Sequence, residues 1–170
     1  GLGVGYHQVK QLGGPGDRGV DVAAFRTERG LEGSWDCFQA KHYAASLVLS
    51  DALPEMLKLF RGVVDGFYVL PDQYVFAAPR GCGGSLNRLL SKPTELQAKL
   101  LEAIDSRGSA TKEIDDGTLQ SIRDLAAASD FSMFRSAELR EMLDVHRGTP
   151  YHAARFGTTL PARPPAGDPP

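Results

Sequence analysis

Residues 13–43, GGPGDRGVDVAAFRTERGLEGSWDCFQAKHY, constrain this chain more than any other stretch. Within it, VDVAAF at 20–25 is rich in β-branched and aromatic side chains, follows a Gly/Pro/Asp turn cluster and precedes a charged loop that closes on Gly30 and Gly33. That pattern predicts a strand and then a hairpin connection. WDCFQAKHY, residues 35–43, reads as the returning strand. Side chains alternate with period two, so Gln39 and Lys41 fall on one face and Phe38 and Ala40 on the other. If the core takes Val20, Val22, Phe38 and Ala40, then Asp21, Gln39 and Lys41 share the opposite face of a two-strand platform.

The arrangement resembles the PD-(D/E)xK nuclease superfamily, and most closely its Mrr-type restriction endonuclease branch, whose signature is a G-x-G-D-x-G-[VI]-D strand followed by a Q-x-K strand. The matching residues are Gly14, Gly16, Asp17, Gly19, Val20 and Asp21, then Gln39, Ala40 and Lys41. Read alone, the first motif also fits a Ca²⁺ turn or an ordinary hairpin entry, and Q-x-K arises by chance in many proteins. The combination, in order on two predicted strands, is the more specific signal, and it covers about the first half of the chain. The family more often carries Glu or Asp where Gln39 stands, although glutamine is frequent in the Mrr-type branch. In that family a helix that often bears a further acidic residue precedes the first strand. This sequence begins too late to contain it and reads as a fragment.

With 170 residues the chain has room for one domain and an appendage, and 42% hydrophobic content supports a packed core. No run of about 18 apolar residues suggests a membrane span, and no basic segment followed by an apolar one suggests a signal peptide, so the expectation is a cytoplasmic protein. Cys37 and Cys82 are far from C-x-x-C spacing, which argues against a disulfide scaffold or a zinc site and for buried or half-buried thiols. A net charge of −2 exerts no global pull on nucleic acid, so any DNA contact must be local. Lys10, Arg18, Arg26, Arg29, Lys41, His42, Arg80 and Arg88 are the candidates, against the alternative of a mixed solvated surface.

Three glycines in the first five residues favour an extended opening over a helix. Gly13, Gly14, Gly16 and Gly19 with Pro15 make a tight loop, and no Gly-Lys-Ser/Thr follows to make it a P-loop. Apolar residues Leu47, Leu49, Leu53, Leu57, Phe60 and Val64 predict a helix starting near Ser50 or Asp51 as N-cap, with Pro54 in its first turn and Gly66 at its end. YVFAAP, residues 74–79, is a continuous apolar run expected of a strand buried on both faces. Strand, strand, helix, strand is the order the nuclease resemblance also demands. RGCGG, residues 80–84, is a strand-to-helix connection or a loop that approaches a ligand.

Helical patterns follow at 85–90, 94–106 and 118–128, the second with Leu96, Leu100, Leu101 and Ile104 on one stripe and a Thr94/Gln97 capping box. A further amphipathic helix is predicted over 136–146, capped by Ser136. HRGTPYHAARFG, residues 146–157, offers histidines, arginines and aromatics to a phosphate backbone, or His146 and His152 to a metal at a spacing that does not match a helical pair. Its ending, and the Ala78 to Gly81 strand end, resemble nuclease-like subunits of ATPase-associated three-component bacterial defence systems. Residues 161–170 hold five prolines and read as a linker or tail.

The expected fold is therefore α/β, a restriction-endonuclease-like mixed sheet flanked by helices with a mainly helical C-terminal extension. Its expected parts are a core over 1–107, an extension over 108–157 and a proline-rich tail over 158–170. The resemblance implies metal-dependent hydrolysis of DNA, in restriction or anti-phage defence, with Asp21, Gln39 and Lys41 as catalytic residues. Mg²⁺, for which Mn²⁺ substitutes, would be held by Asp21, the Gln39 amide oxygen and the Ala40 carbonyl. Lys41 supplies a point charge beside the scissile phosphate, while Asp17 and Gly19 support the loop. DNA is the implied partner, with an ATPase subunit and a second copy of the chain as further candidates. The competing class is an inactive nuclease-like module that docks DNA or an ATPase.

Overall fold

The computed structural model describes residues 5–14, 18–40, 45–137 and 141. It is an α/β protein built on one mixed five-stranded sheet, β1 (Gln8–Gln11), β2 (Val22–Phe25), β3 (Trp35–Ala40), β4 (Gln73–Ala77) and β5 (Phe134–Ala137), ordered β1-β2-β3-β4-β5. The first three strands run antiparallel through short connections, whereas β4 and β5 each pair parallel to the strand before them. A parallel neighbour requires a crossover, and α1 (Leu49–Val64) supplies it between β3 and β4. The helices α2 (Gly84–Leu90), α3 (Pro93–Asp105) and α4 (Asp116–Ala128) make the second crossover, from β4 to β5. The expected order of strand, strand, helix, strand is thus present as β2, β3, α1 and β4.

Both faces of the sheet are buried. Ala23, Phe25, Trp35, Cys37, Tyr74 and Phe76 join Met56, Leu59 and Phe60 of α1 and the inward residues of α3 and α4 in the main core. Ala24, Phe38, Val75 and Ala137 form a smaller core on the other face, with Tyr6, Val9 and Val22 packed against them. This corrects the expected partition. Register pairs Val22 with Phe38 and Ala23 with Cys37, so one more step opposes Asp21 to Gln39, on the face with Ala23 and Cys37. Asp21 and Gln39 share a face as expected, but it is the helix-covered one, and Val20 belongs to that main core as well.

Helix α1 begins at Leu49 with Val48 as its cap residue, and the Asp51 carboxylate accepts from the Val48 N–H at 3.4 Å. The start lies ahead of the predicted Ser50 or Asp51 cap, so Pro54 sits past the first turn. Asp65 closes the helix and Gly66 follows at φ +81°, the left-handed conformation that a glycine adopts without strain. The buried stripe is Ala52, Glu55, Met56 and Leu59, with Leu57 and Phe60 beside it. In α3 the stripe Leu96, Leu100 and Ile104 is buried as predicted, but the capping box is absent. Gln97 instead donates to the carbonyls of Ala126 at 2.9 Å and Ser129 at 3.1 Å, holding the end of α4 against α3.

Ser136 is a strand residue, not the cap of a helix, because β5 pairs Ser136 with Phe76. Residues 108–137 thereby contribute α4 and an edge strand to the same sheet and the same core. The predicted remainder of the 136–146 helix, apart from residue 141, lies outside the described residues, as do the 146–157 stretch and the proline-rich tail. No helix among the described residues is long and apolar enough to cross a membrane. Cys37 is buried and Cys82 half-buried, both as thiols.

Candidate functional site

Asp21 stands immediately before β2, at the end of the loop that passes through Gly19 and Val20. Three contacts hold that loop. Gly19 adopts φ +79°, and a Cβ there would lie 3.0 Å from the Lys58 Cβ of α1, so both the conformation and the close approach call for glycine. The Tyr68 hydroxyl donates to the Arg18 carbonyl at 2.6 Å, and the Arg18 guanidinium covers the Phe67 ring at 3.8 Å. Tyr68 fits only because position 62 is glycine, since a methyl group at Gly62 would overlap its ring. Gly19 thus stands in the loop that leads into Asp21, while Asp17 lies outside the described residues.

From this position the Asp21 carboxylate reaches β3, where its Oδ2 accepts from the Ala40 N–H at 2.9 Å. The bond ties the start of β2 to the last residue of β3 and fixes the carboxylate beside Gln39. Gln39 is 4% exposed, and its Oε1 has no hydrogen-bond partner among the described residues. A buried amide oxygen without a partner is destabilising, commonly by about 1–3 kcal/mol. Two hard oxygen donors, one anionic and one an unsatisfied amide, suit an oxygen-seeking divalent cation such as Mg²⁺. Ala40 is half-buried at the same strand end; Lys41 and His42 lie outside the described residues.

The sequence reading missed Glu55 and Tyr74. Glu55 is 5% exposed on the inward stripe of α1 and pairs with Lys58 at 3.2 Å. The signal was available: Ala52, Glu55, Met56 and Leu59 recur at three- and four-residue spacing, which seats an acid in an apolar stripe. Tyr74, beside Cys37 in the β3–β4 register, is wholly buried, and its hydroxyl also lacks a partner among the described residues. Burial pushes its pKa well above the ordinary phenol value, keeping the hydroxyl protonated, and Cys37, Glu55, Tyr68 and Asp21 add to the rise. Among the described residues no three His, Cys, Asp or Glu side chains cluster as a metal site.

The proposed DNA-contacting cations divide. Arg26 is held at 2.6 Å by Asp36, a fully buried carboxylate that also accepts from the Tyr6 hydroxyl at 2.7 Å, so Arg26 belongs to the scaffold. Arg88 faces Glu95 at 3.6 Å and Arg18 faces Asp65 at 3.8 Å, while Lys10 is exposed on β1. The Arg80 to Gly84 loop joins β4 to α2 and pairs with the segment before α1, with Leu47 donating to Gly81 at 3.0 Å and Gly83 donating back to Leu47 at 2.8 Å. It serves as a connection, with both its hydrogen-bonding edges used there. Comparison with protein-family models, curated proteins and solved structures found no match to this chain.

Proposed function

We propose that the chain is a metal-dependent endonuclease that hydrolyses DNA phosphodiester bonds, acting in restriction or anti-phage defence as its Mrr-type motif implies. One observation carries the reading: Asp21 and Gln39 meet on adjacent strands, with the carboxylate anchored on the Ala40 N–H at 2.9 Å and the Gln39 amide oxygen buried without a partner among the described residues. A bound divalent cation supplies Lewis-acid stabilisation of the phosphate oxygens and a more acidic water. Asp21, the Gln39 Oε1 and the Ala40 carbonyl are the groups to hold it, and the Lys41 ammonium adds positive charge beside the scissile phosphate. The buried surroundings of Gln39 strengthen these interactions by excluding water.

The test is cleavage of plasmid DNA in Mg²⁺ or Mn²⁺ by the parent chain, Asp21→Asn and Lys41→Ala. Asparagine keeps an acceptor for the Ala40 N–H, which matters because Asp21 contributes to the fold through that bond as well as to the site. Metal-dependent nicking by the parent and none by either folded variant is expected; full activity in either variant would overturn the assignment. A second reading, an inactive module that docks DNA or an ATPase partner, draws on the neutral amide at Gln39 and on the absence of a three-ligand His, Cys, Asp or Glu cluster among the described residues. It predicts salt-sensitive DNA binding without cleavage.

A further inference from the structure

The loop that delivers Asp21 turns at Arg18 and Gly19, whose φ angles are +55° and +79°. Glycine enters this left-handed region freely, whereas an arginine there is strained and stays only where its surroundings over-determine it. Those surroundings come from the connection between α1 and β4. The Tyr68 hydroxyl donates to the Arg18 carbonyl at 2.6 Å and lies 3.5 Å from the Lys58 carbonyl, so its proton serves Arg18 first. The Arg18 guanidinium covers the Phe67 ring at 3.8 Å and lies 3.8 Å from the Asp65 carboxylate.

Tyr68 is itself held on both sides. Phe67 donates to the Gly62 carbonyl at 2.9 Å, Val69 donates to the Leu31 carbonyl at 3.0 Å, and the Trp35 indole donates to the Val69 carbonyl at 3.0 Å. The Tyr68 ring meets Trp35 edge-on at 5.5 Å and fills the notch that Gly62 leaves in α1. Past the site, the Asp21 carbonyl accepts from Leu12 at 2.8 Å and from Gly13 at 3.1 Å, which fixes the chain after the carboxylate; the approach to it runs through Arg18. We infer that Tyr68 is a positioning residue for Asp21, its hydroxyl holding the strained Arg18 turn and so aiming the carboxylate at the Ala40 N–H. Only Gly19 and Val20 separate that turn from Asp21. For catalysis the inference rests on the nuclease reading, in which Asp21 holds the cation and a misplacement of about 1 Å costs up to about a hundredfold in rate.

Tyr68→Phe removes the hydroxyl and keeps the ring. The reporter is the Ala40 amide, whose hydrogen bond runs to the Asp21 carboxylate at 2.9 Å. By hydrogen exchange read in NMR spectra, Tyr68→Phe is expected to speed Ala40 by about tenfold more than Cys37 in the middle of β3, which reads global opening. Arg18→Gly combined with Tyr68→Phe should return Ala40 to within about threefold of the parent, because glycine takes the turn without strain. Equal changes at Ala40 and Cys37, or no rescue by glycine, would overturn the inference. Should Tyr68→Phe alone not fold, the double variant decides: folded with Ala40 protected it supports the inference, and any other result overturns it. Plasmid cleavage in Mg²⁺ is the second arm, where Tyr68→Phe should lower kcat by about tenfold with KM for DNA within about twofold. An undiminished kcat would overturn the inference. If the parent does not cleave while Ala40 responds as expected, the positioning role stands and the nuclease reading fails. Cleavage by the parent, with Ala40 unmoved in Tyr68→Phe, does the reverse.

Discussion

On one face of the sheet Asp36 is fully buried and yet well supplied, receiving the Tyr6 hydroxyl at 2.7 Å and the Arg26 guanidinium at 2.6 Å. On the other face Gln39 and Tyr74 are about as deeply buried, and each leaves an oxygen without a partner among the described residues. Both regions use strand β3, and Asp36 and Gln39 are three residues apart. A charge taken out of water is tolerated when hydrogen bonds replace its hydration, and the Asp36 cluster does this within the chain. The Gln39 side does not do so among the described residues, so the two faces differ in how far the described residues satisfy their buried polar groups.

Substitutions on the two faces should therefore behave differently. Asp36→Ala strands the Arg26 guanidinium and the Tyr6 hydroxyl, and a loss of about 3 kcal/mol is expected in urea denaturation. A loss below about 1 kcal/mol would mean that the network is not a brace. Tyr6→Phe removes one hydrogen bond to a charged acceptor and should lose about 2 kcal/mol by the same measurement. Gln39→Met keeps the volume and deletes the unsatisfied amide, so the metal-free stability should change by less than about 1 kcal/mol. Tyr74→Phe lies at the end of the series. Removal of a buried hydroxyl that has no partner should leave the urea midpoint unchanged or raise it, with a gain of up to about 1 kcal/mol. A clear loss on Tyr74→Phe would erase the contrast between the faces.

The sequence disclosed the strands better than it disclosed which way they face. Alternation in WDCFQA correctly put Asp21 and Gln39 together, because period two holds in any strand. It did not identify the main core, since Trp35 and Cys37 on one face and Phe38 on the other are all apolar, and a strand buried on both sides carries no amphipathic mark. Glu55 escaped for a related reason. A glutamate in an amphipathic helix is ordinarily solvated, and the stripe that seats it inward includes Ala52, too small to weigh in a hydrophobic pattern. Ser136 has the chemistry of a helix cap, but the open edge of β4 recruits it into a parallel pair, a long-range event that local propensity does not record. Gln97 is similar: its amide serves the end of α4, about thirty residues away in sequence, and not its own helix.

The central claim, that the Asp21 and Gln39 side of the sheet is built for a ligand while the Asp36 side is complete, is tested most directly by thermal unfolding with increasing Mn²⁺. A ligand that binds only the folded chain stabilises it by RT ln(1 + [L]/Kd), about 2.7 kcal/mol at a hundredfold excess over Kd. The midpoint should rise with Mn²⁺ in the parent chain and rise by a similar increment in Tyr6→Phe, from a lower starting point. In Asp21→Asn it should not move. A parent midpoint indifferent to Mn²⁺, or an equal rise in Asp21→Asn, would contradict the account.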